Sequence, residues 1–180
     1  MKHTRPMILT ALFAALTAVG AFLRIPTPIS SFTLQVFFTA MAGVLLGRTW
    51  GAASQAVYVL LGLAGLPIFT SGGGLGTLLQ PTAGFLFGMI LMAWVTGWLV
   101  EKKGAGFWTI CGACAAGLAV MYAVGLPYMH LILTVYLGRD WSFRQTICSG
   151  LLLFLPWDAV KIVLTAVLCT RIRPAVQNLL

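Results

Sequence analysis

The chain has 180 residues, of which 60% are hydrophobic and only 8% charged, and its mean hydropathy is +0.99. Soluble domains carry about a quarter charged residues, and a chain of this size cannot bury so much apolar surface, so a soluble globular fold is excluded. The formal charge of +8 does not indicate a nucleic-acid binder, because the basic residues stand in ones and twos between apolar runs, the distribution of membrane loops.

The sequence therefore predicts an all-α integral membrane protein, a single membrane domain over residues 1–180. Six transmembrane helices fit, at about 6–23, 34–46, 51–65, 81–100, 107–137 and 156–172. The first is too long and too poorly flanked for a signal peptide and is followed by more membrane, so it reads as a retained span. Its small residues Ala11 and Ala15, and Ala14 and Ala18, recur four apart and make a flat stripe. Another membrane helix can dock on such a stripe; packing within the chain is the alternative.

Arg24-Ile25-Pro26-Thr27-Pro28 closes this span, because proline stops a helix and favours extended backbone. Ser30-Ser31-Phe32-Thr33-Leu34-Gln35 then adds hydroxyls and an amide. The second and third spans meet at Gly47-Arg48-Thr49, and both fall short of the roughly 20 residues of an ordinary span, which implies bilayer thinning or burial against neighbours. The loop from Leu66 to Gln80 carries no charge and holds Gly72, Gly73, Gly74 and Gly76 beside Phe69. No Gly-Lys-Ser/Thr follows it, so it is not a phosphate loop; it suits a lid or plug over a pocket better than a solvated linker. The fourth span ends at Glu101-Lys102-Lys103, the fifth is expected to bend at Gly125-Leu126-Pro127, and residues 138–155 read as a loop with a short interfacial helix.

With the N-terminus inside, Lys2, Arg5, Arg48, Lys102, Lys103, Arg171 and Arg173 lie inside, against Arg24, Arg139 and Arg144 outside. This obeys the positive-inside rule and places both termini in the cytoplasm. The proline-rich loop, the glycine-rich loop and the start of the sixth span then converge on the outer face.

There the chain carries Pro156-Trp157-Asp158-Ala159-Val160-Lys161. An ionisable side chain at membrane depth costs roughly 2.5–3.5 kcal/mol or more and is generally kept for function. Residues three apart share a helix face, so Asp158 and Lys161 can neutralise each other while projecting to one cavity, and Asp158 in the first turn suits the helix dipole. A polar anchor for a small solute is the favoured reading; a purely structural ion pair is the alternative. Tyr122, Tyr128 and Trp157 read as pocket walls or as members of an interfacial belt. Cys111-Gly-Ala-Cys114 has zinc or redox spacing but no second ligand pair, and His130 stands alone in an apolar helix, so neither a metal site nor a cofactor is expected.

Taken in order, Thr33-Leu34-Gln35, Gly65-Leu66-Pro67-Ile68-Phe69 with its glycines, Pro81-Thr82-Ala83-Gly84, Gly125-Leu126-Pro127 and the Pro156–Lys161 element resemble the biotin-specific substrate-binding component of energy-coupling factor (ECF) transporters. The resemblance spans nearly the whole chain. It departs from the family's usual Pro-Thr-Gly-Gly and Pro-Gly-Asp at Ala83 and Trp157, the second of which would narrow the pocket mouth or add a wall. The resemblance implies a vitamin-capture subunit in the cell membrane, without catalytic activity. It further implies biotin as ligand, and as partners a transmembrane coupling subunit, docked on the Ala11, Ala14, Ala15 and Ala18 stripe, and two ATP-binding subunits.

Biotin combines a carboxylate, a ureido ring and an apolar bicycle. Asp158 suits a ureido N–H, and Lys161 a carbonyl or carboxylate. Gln35 and the amides of Gly72, Gly73 and Gly74 suit the remaining polar groups, with Phe69, Tyr122 and Trp157 as apolar wall. A component for another small vitamin and a stand-alone membrane facilitator are the alternatives. A membrane enzyme is disfavoured, because no serine stands beside either histidine to form a nucleophile and base.

Overall fold

A computed structural model describes residues 4–26 and 31–177. Lys2, Thr27, Pro28 and Ser30, which entered the charge count or the first-loop reading, lie outside the described residues. The elements are α1 (Thr4–Phe22), β1 (Arg24–Pro26), β2 (Ser31–Thr33), α2 (Gln35–Leu63), a 3-10 turn (Leu75–Leu79), α3 (Ala83–Lys103) and α4 (Phe107–Leu131). A π turn (Ile132–Tyr136), α5 (Phe143–Ile147), a second π turn (Cys148–Leu152) and α6 (Leu155–Gln177) follow. Among the described residues, five helical stretches are long and apolar enough to cross a membrane. Helices satisfy their own backbone hydrogen bonds, which is the condition for burial in lipid.

One of the five, α2, is not a straight rod. Gly47 has φ 78° and ψ −178°, a conformation that breaks the helix and is closed to side-chain-bearing residues. Thr39 Oγ1 donates to Gln55 Oε1 at 3.0 Å and Gln35 Nε2 to the Tyr58 hydroxyl at 2.7 Å. In a continuous helix the latter two residues would stand roughly 35 Å apart at about 1.5 Å per residue. The chain therefore doubles back at Gly47, and the stretches expected as the second and third spans are the two antiparallel arms of α2. Glu101 anchors the reversal: its Oε1 accepts the Arg48 N–H at 2.8 Å, and its Oε2 lies 3.4 Å from the Arg48 guanidinium.

Small residues let the backbones approach. A Cβ on Gly43 would lie 2.6 Å from the Ala93 carbonyl oxygen, and one on Gly117 would lie 2.4 Å from Thr96 Oγ1, so α2, α3 and α4 pack almost main chain to main chain. Polar pins add direction. Thr17, Thr39, Ser54 and Gln55 are fully buried, and Gln55 Nε2 reaches Thr17 Oγ1 at 3.2 Å, tying α1 to both arms of α2. α3 ends at Gly104, whose N–H returns to Val100, with Lys102 and Lys103 in the last turn, where the helix dipole favours cations.

Pro127 lies inside α4, which runs on to Leu131. α5 starts in a capping box, with Ser142 Oγ accepting from the Gln145 N–H and Gln145 Oε1 accepting from the Ser142 N–H.

Candidate functional site

The first turns of α6 place the charged pair. Lys161 Nζ donates to Asp158 Oδ1 at 2.8 Å, and from α4 the Tyr122 hydroxyl donates to Asp158 Oδ2 at 2.5 Å. Only 2% of Asp158 and 7% of Lys161 are exposed, so each charge depends on the other for neutralisation. The chain's other two acidic residues offer no substitute, since Glu101 is engaged with Arg48 and Asp140 is exposed.

Asp158, Lys161 and Tyr122 open into a cavity of about 100 Å³, against the roughly 10–15 Å³ that one water occupies by the same measure. The cavity has two kinds of wall. Phe69, Phe85, Phe154, Met89, Met121 and Met129 supply apolar surface. Thr33, Gln35, Thr70, Ser71, Thr77 and Thr82 add hydroxyls and an amide to the charged pair. A mostly apolar cavity with a few converging polar groups binds a small amphipathic molecule and fixes its orientation.

The covering is built by segments far apart in sequence. β1 and β2 pair antiparallel, with Arg24 opposite Thr33. Phe32, on β2, meets Phe154 at 4.5 Å between ring centroids, which seats the hairpin against the approach to α6. The Arg24 guanidinium donates to the Thr70 carbonyl, linking the hairpin to the glycine-rich loop. Within that loop, Phe69 and Gly72 exchange backbone hydrogen bonds at 2.9 and 3.1 Å, and the Gly74 N–H returns to the Gly62 carbonyl at 2.7 Å. The Phe69 ring lies over Gly62, where a Cβ would stand 2.1 Å from it. Opposite, the Tyr128 hydroxyl donates to the Leu78 carbonyl at 2.5 Å, tying the loop's far end to α4.

Of the residues singled out in the sequence, Asp158, Lys161, Gln35, Phe69 and Tyr122 all line the cavity. Gly72, Gly73 and Gly74 do not: the amides of Gly72 and Gly74 are spent on protein carbonyls, so these glycines shape the loop that presents Phe69, Thr70 and Ser71. Trp157 is 53% exposed and points away, its ring 6.1 Å from Phe32. It sits about 100° around the helix axis from Asp158, and of the two only Asp158 is buried and lines the cavity.

Thr77, Phe85 and the three cavity methionines carried no sequence signal, being ordinary residues of apolar or hydroxyl-bearing segments, and Thr82 stood out only as a member of the Pro81–Gly84 motif. On α1 the stripe divides. Ala14 is buried in the core, Ala18 is half-buried, and Ala11 and Ala15 are exposed beside Leu12 and Val19. Among the described residues no cluster of three or more His, Cys, Asp or Glu is arranged to hold a metal, and His130 Nδ1 lies 3.2 Å from Thr146 Oγ1 of α5.

This site lies in a chain whose residues 1–178 match the model of the BioY family. The chain belongs to the BioY family. It is 40% identical over 172 residues to the "Probable biotin transporter BioY" of Lysinibacillus sphaericus, covering 95% of this chain and 88% of that one. It is 39% identical over 170 residues to the "Biotin transporter BioY" of Thermotoga maritima, covering 94% and 96%. Its fold is similar, at a TM-score of 0.84 and 24% identity over 96% of this chain and 93% of the other, to the crystal structure of the S-component for biotin from an ECF-type ABC transporter. BioY-family membership and the apolar helices together make this a multi-pass membrane transport protein.

Proposed function

We propose that this BioY-family chain is the biotin-capturing component of an ECF-type uptake transporter in the cell membrane, with no catalytic step of its own. The observation that carries the reading is the Asp158–Lys161–Tyr122 cluster opening into an otherwise apolar cavity, in a chain whose relatives are named biotin transporters over nearly their full length. The ligand's ureido ring and carboxylate meet the hydroxyls, the amide and the charged pair, and its bicycle meets the phenylalanine and methionine walls.

In this reading the chain crosses the membrane six times, counting each arm of α2 as a crossing, and both termini are cytoplasmic. Support comes from the reversal at Gly47, from the basic residues at the Arg48 and Lys102–Lys103 end, and from the positive-inside rule. A transmembrane coupling subunit and two ATP-binding subunits supply the energy, since the sequence holds no phosphate loop. The coupling subunit docks on the exposed part of the α1 stripe, at Ala11 and Ala15 with Ala18 beside them; Ala14 serves the core. Calorimetry on the protein in lipid nanodiscs, titrated in parallel with biotin, thiamine and riboflavin, tests the assignment. Tight binding of biotin alone is expected, and a response to another vitamin with none to biotin refutes it.

A further inference from the structure

We infer that Tyr58, which does not line the cavity, is a positioning residue for ligand binding that acts through Gln35; the inference relies on the biotin-capture reading only for the identity of the ligand. Tyr58 is fully buried, on the second arm of α2. Its hydroxyl is the centre of a chain of hydrogen bonds running from the first loop to the third. Thr33 Oγ1 donates to Gln35 Oε1 at 3.1 Å, Gln35 Nε2 donates to the Tyr58 hydroxyl at 2.7 Å, and that hydroxyl donates to the Ile68 carbonyl at 3.1 Å.

The direction of this chain is dictated by its last member. A backbone carbonyl only accepts, so Tyr58 must commit its single proton to Ile68 and turn a lone pair to Gln35. Only the NH₂ end of the amide can fill that lone pair, which locks Nε2 toward Tyr58 and Oε1 toward Thr33. Thr33 exerts no such choice, because a hydroxyl serves either end of an amide equally well. Gln35 lines the cavity, so its amide meets the ligand with one fixed pattern of donors and acceptors.

The ring that carries the hydroxyl is held as firmly. It packs edge-on against Phe69, with 5.3 Å between centroids and 82° between planes, and Phe69 in turn lies on Gly62. A preset amide costs the ligand no ordering on binding, which is where such a residue contributes affinity.

Four proteins decide the matter: wild type, Tyr58→Phe, Gln35→Ala and the double variant, each titrated with biotin in nanodiscs. Tyr58→Phe is expected to weaken binding about tenfold, the typical effect of losing one buried hydrogen-bond partner. Gln35→Ala should weaken it at least as much. The double variant should match Gln35→Ala within about twofold, because Tyr58 has nothing left to orient. Wild-type affinity in Tyr58→Phe, or a double variant weaker by the product of the two effects, overturns the inference.

A second readout needs no ligand. The chain has five glutamines, so the side-chain NH₂ signal of Gln35 can be identified by ¹⁵N-glutamine labelling and its loss in Gln35→Ala. One slowly exchanging pair is expected in the ligand-free wild type, and a doubled or broadened pair in Tyr58→Phe. Identical spectra overturn the inference. Failure of the wild type to bind biotin refutes the substrate reading alone, and the glutamine spectrum still decides the role of Tyr58.

Discussion

Replacing Asp158 by Asn, or Lys161 by Ala, separates a binding role of the buried pair from a structural one. With Nζ and Oδ1 at 2.8 Å, the gross Coulomb attraction is about 6 kcal/mol at an effective dielectric of about 20. Desolvation of both charges offsets much of this, so the pair itself contributes little net stability, but removing one partner strands the other at a cost of roughly 3–5 kcal/mol. Asn keeps a carbonyl for Lys161 and nearly the same shape, so what it removes is the charge and an acceptor. For a ligand that meets both groups the expected loss of affinity is about 2–5 kcal/mol, or about thirtyfold to a few thousandfold in Kd. Biotin titration in nanodiscs gives the affinity, and thermal unfolding of the same samples gives the stability. The double variant Asp158→Asn/Lys161→Met, which removes both charges, should regain most of the lost stability and none of the binding. If the single variants fold and bind biotin within about twofold of wild type, the pair is structural and the site assignment falls.

Three further outcomes are expected. Gly62→Ala drives a Cβ into the Phe69 ring, so it should displace the loop that carries Thr70 and Ser71 and weaken biotin binding by about fivefold to 150-fold, the equivalent of about 1–3 kcal/mol of overpacking; unaltered affinity would remove Phe69 from the site. Single cysteines at Ser71 and Lys103, in a background freed of the four native cysteines, should react with an impermeant maleimide from opposite sides of the membrane, and reaction from one side would refute the six-crossing topology. Ala15→Trp should abolish biotin uptake and co-purification with the coupling subunit while the isolated chain still binds biotin; assembly that survives a side chain of this size would show that the partner docks elsewhere.

Much of the lining of the candidate site was legible in the sequence. Asp158 and Lys161 stand three apart in one helix, and that spacing alone puts both on one face. Gln35 and Phe69 could be picked out because a polar amide at a span boundary, and an aromatic beside a run of glycines, are conspicuous against an apolar background. The tie between Tyr122 and Asp158 was not legible, since 36 residues separate them. The same holds for Tyr58, a tyrosine in an apolar run with no local mark of its role.

By itself the sequence determined the apolar solvent, the helical class and the segments from which the covering loops come, because hydropathy, proline and glycine act locally and in order along the chain. Tertiary structure alone decided which face of each helix looks inward. A soluble helix advertises its buried face by polarity, but in lipid both faces are apolar and packing is governed by size and shape. That is why Ala14 turned to the core while Ala11 and Ala15 remained exposed, and why Trp157 pointed outward next to an inward Asp158. It is also why the amides of Gly72 and Gly74 were consumed within their own loop. Where a backbone donor goes depends on which carbonyl the fold brings to it, and that is settled only when distant segments meet.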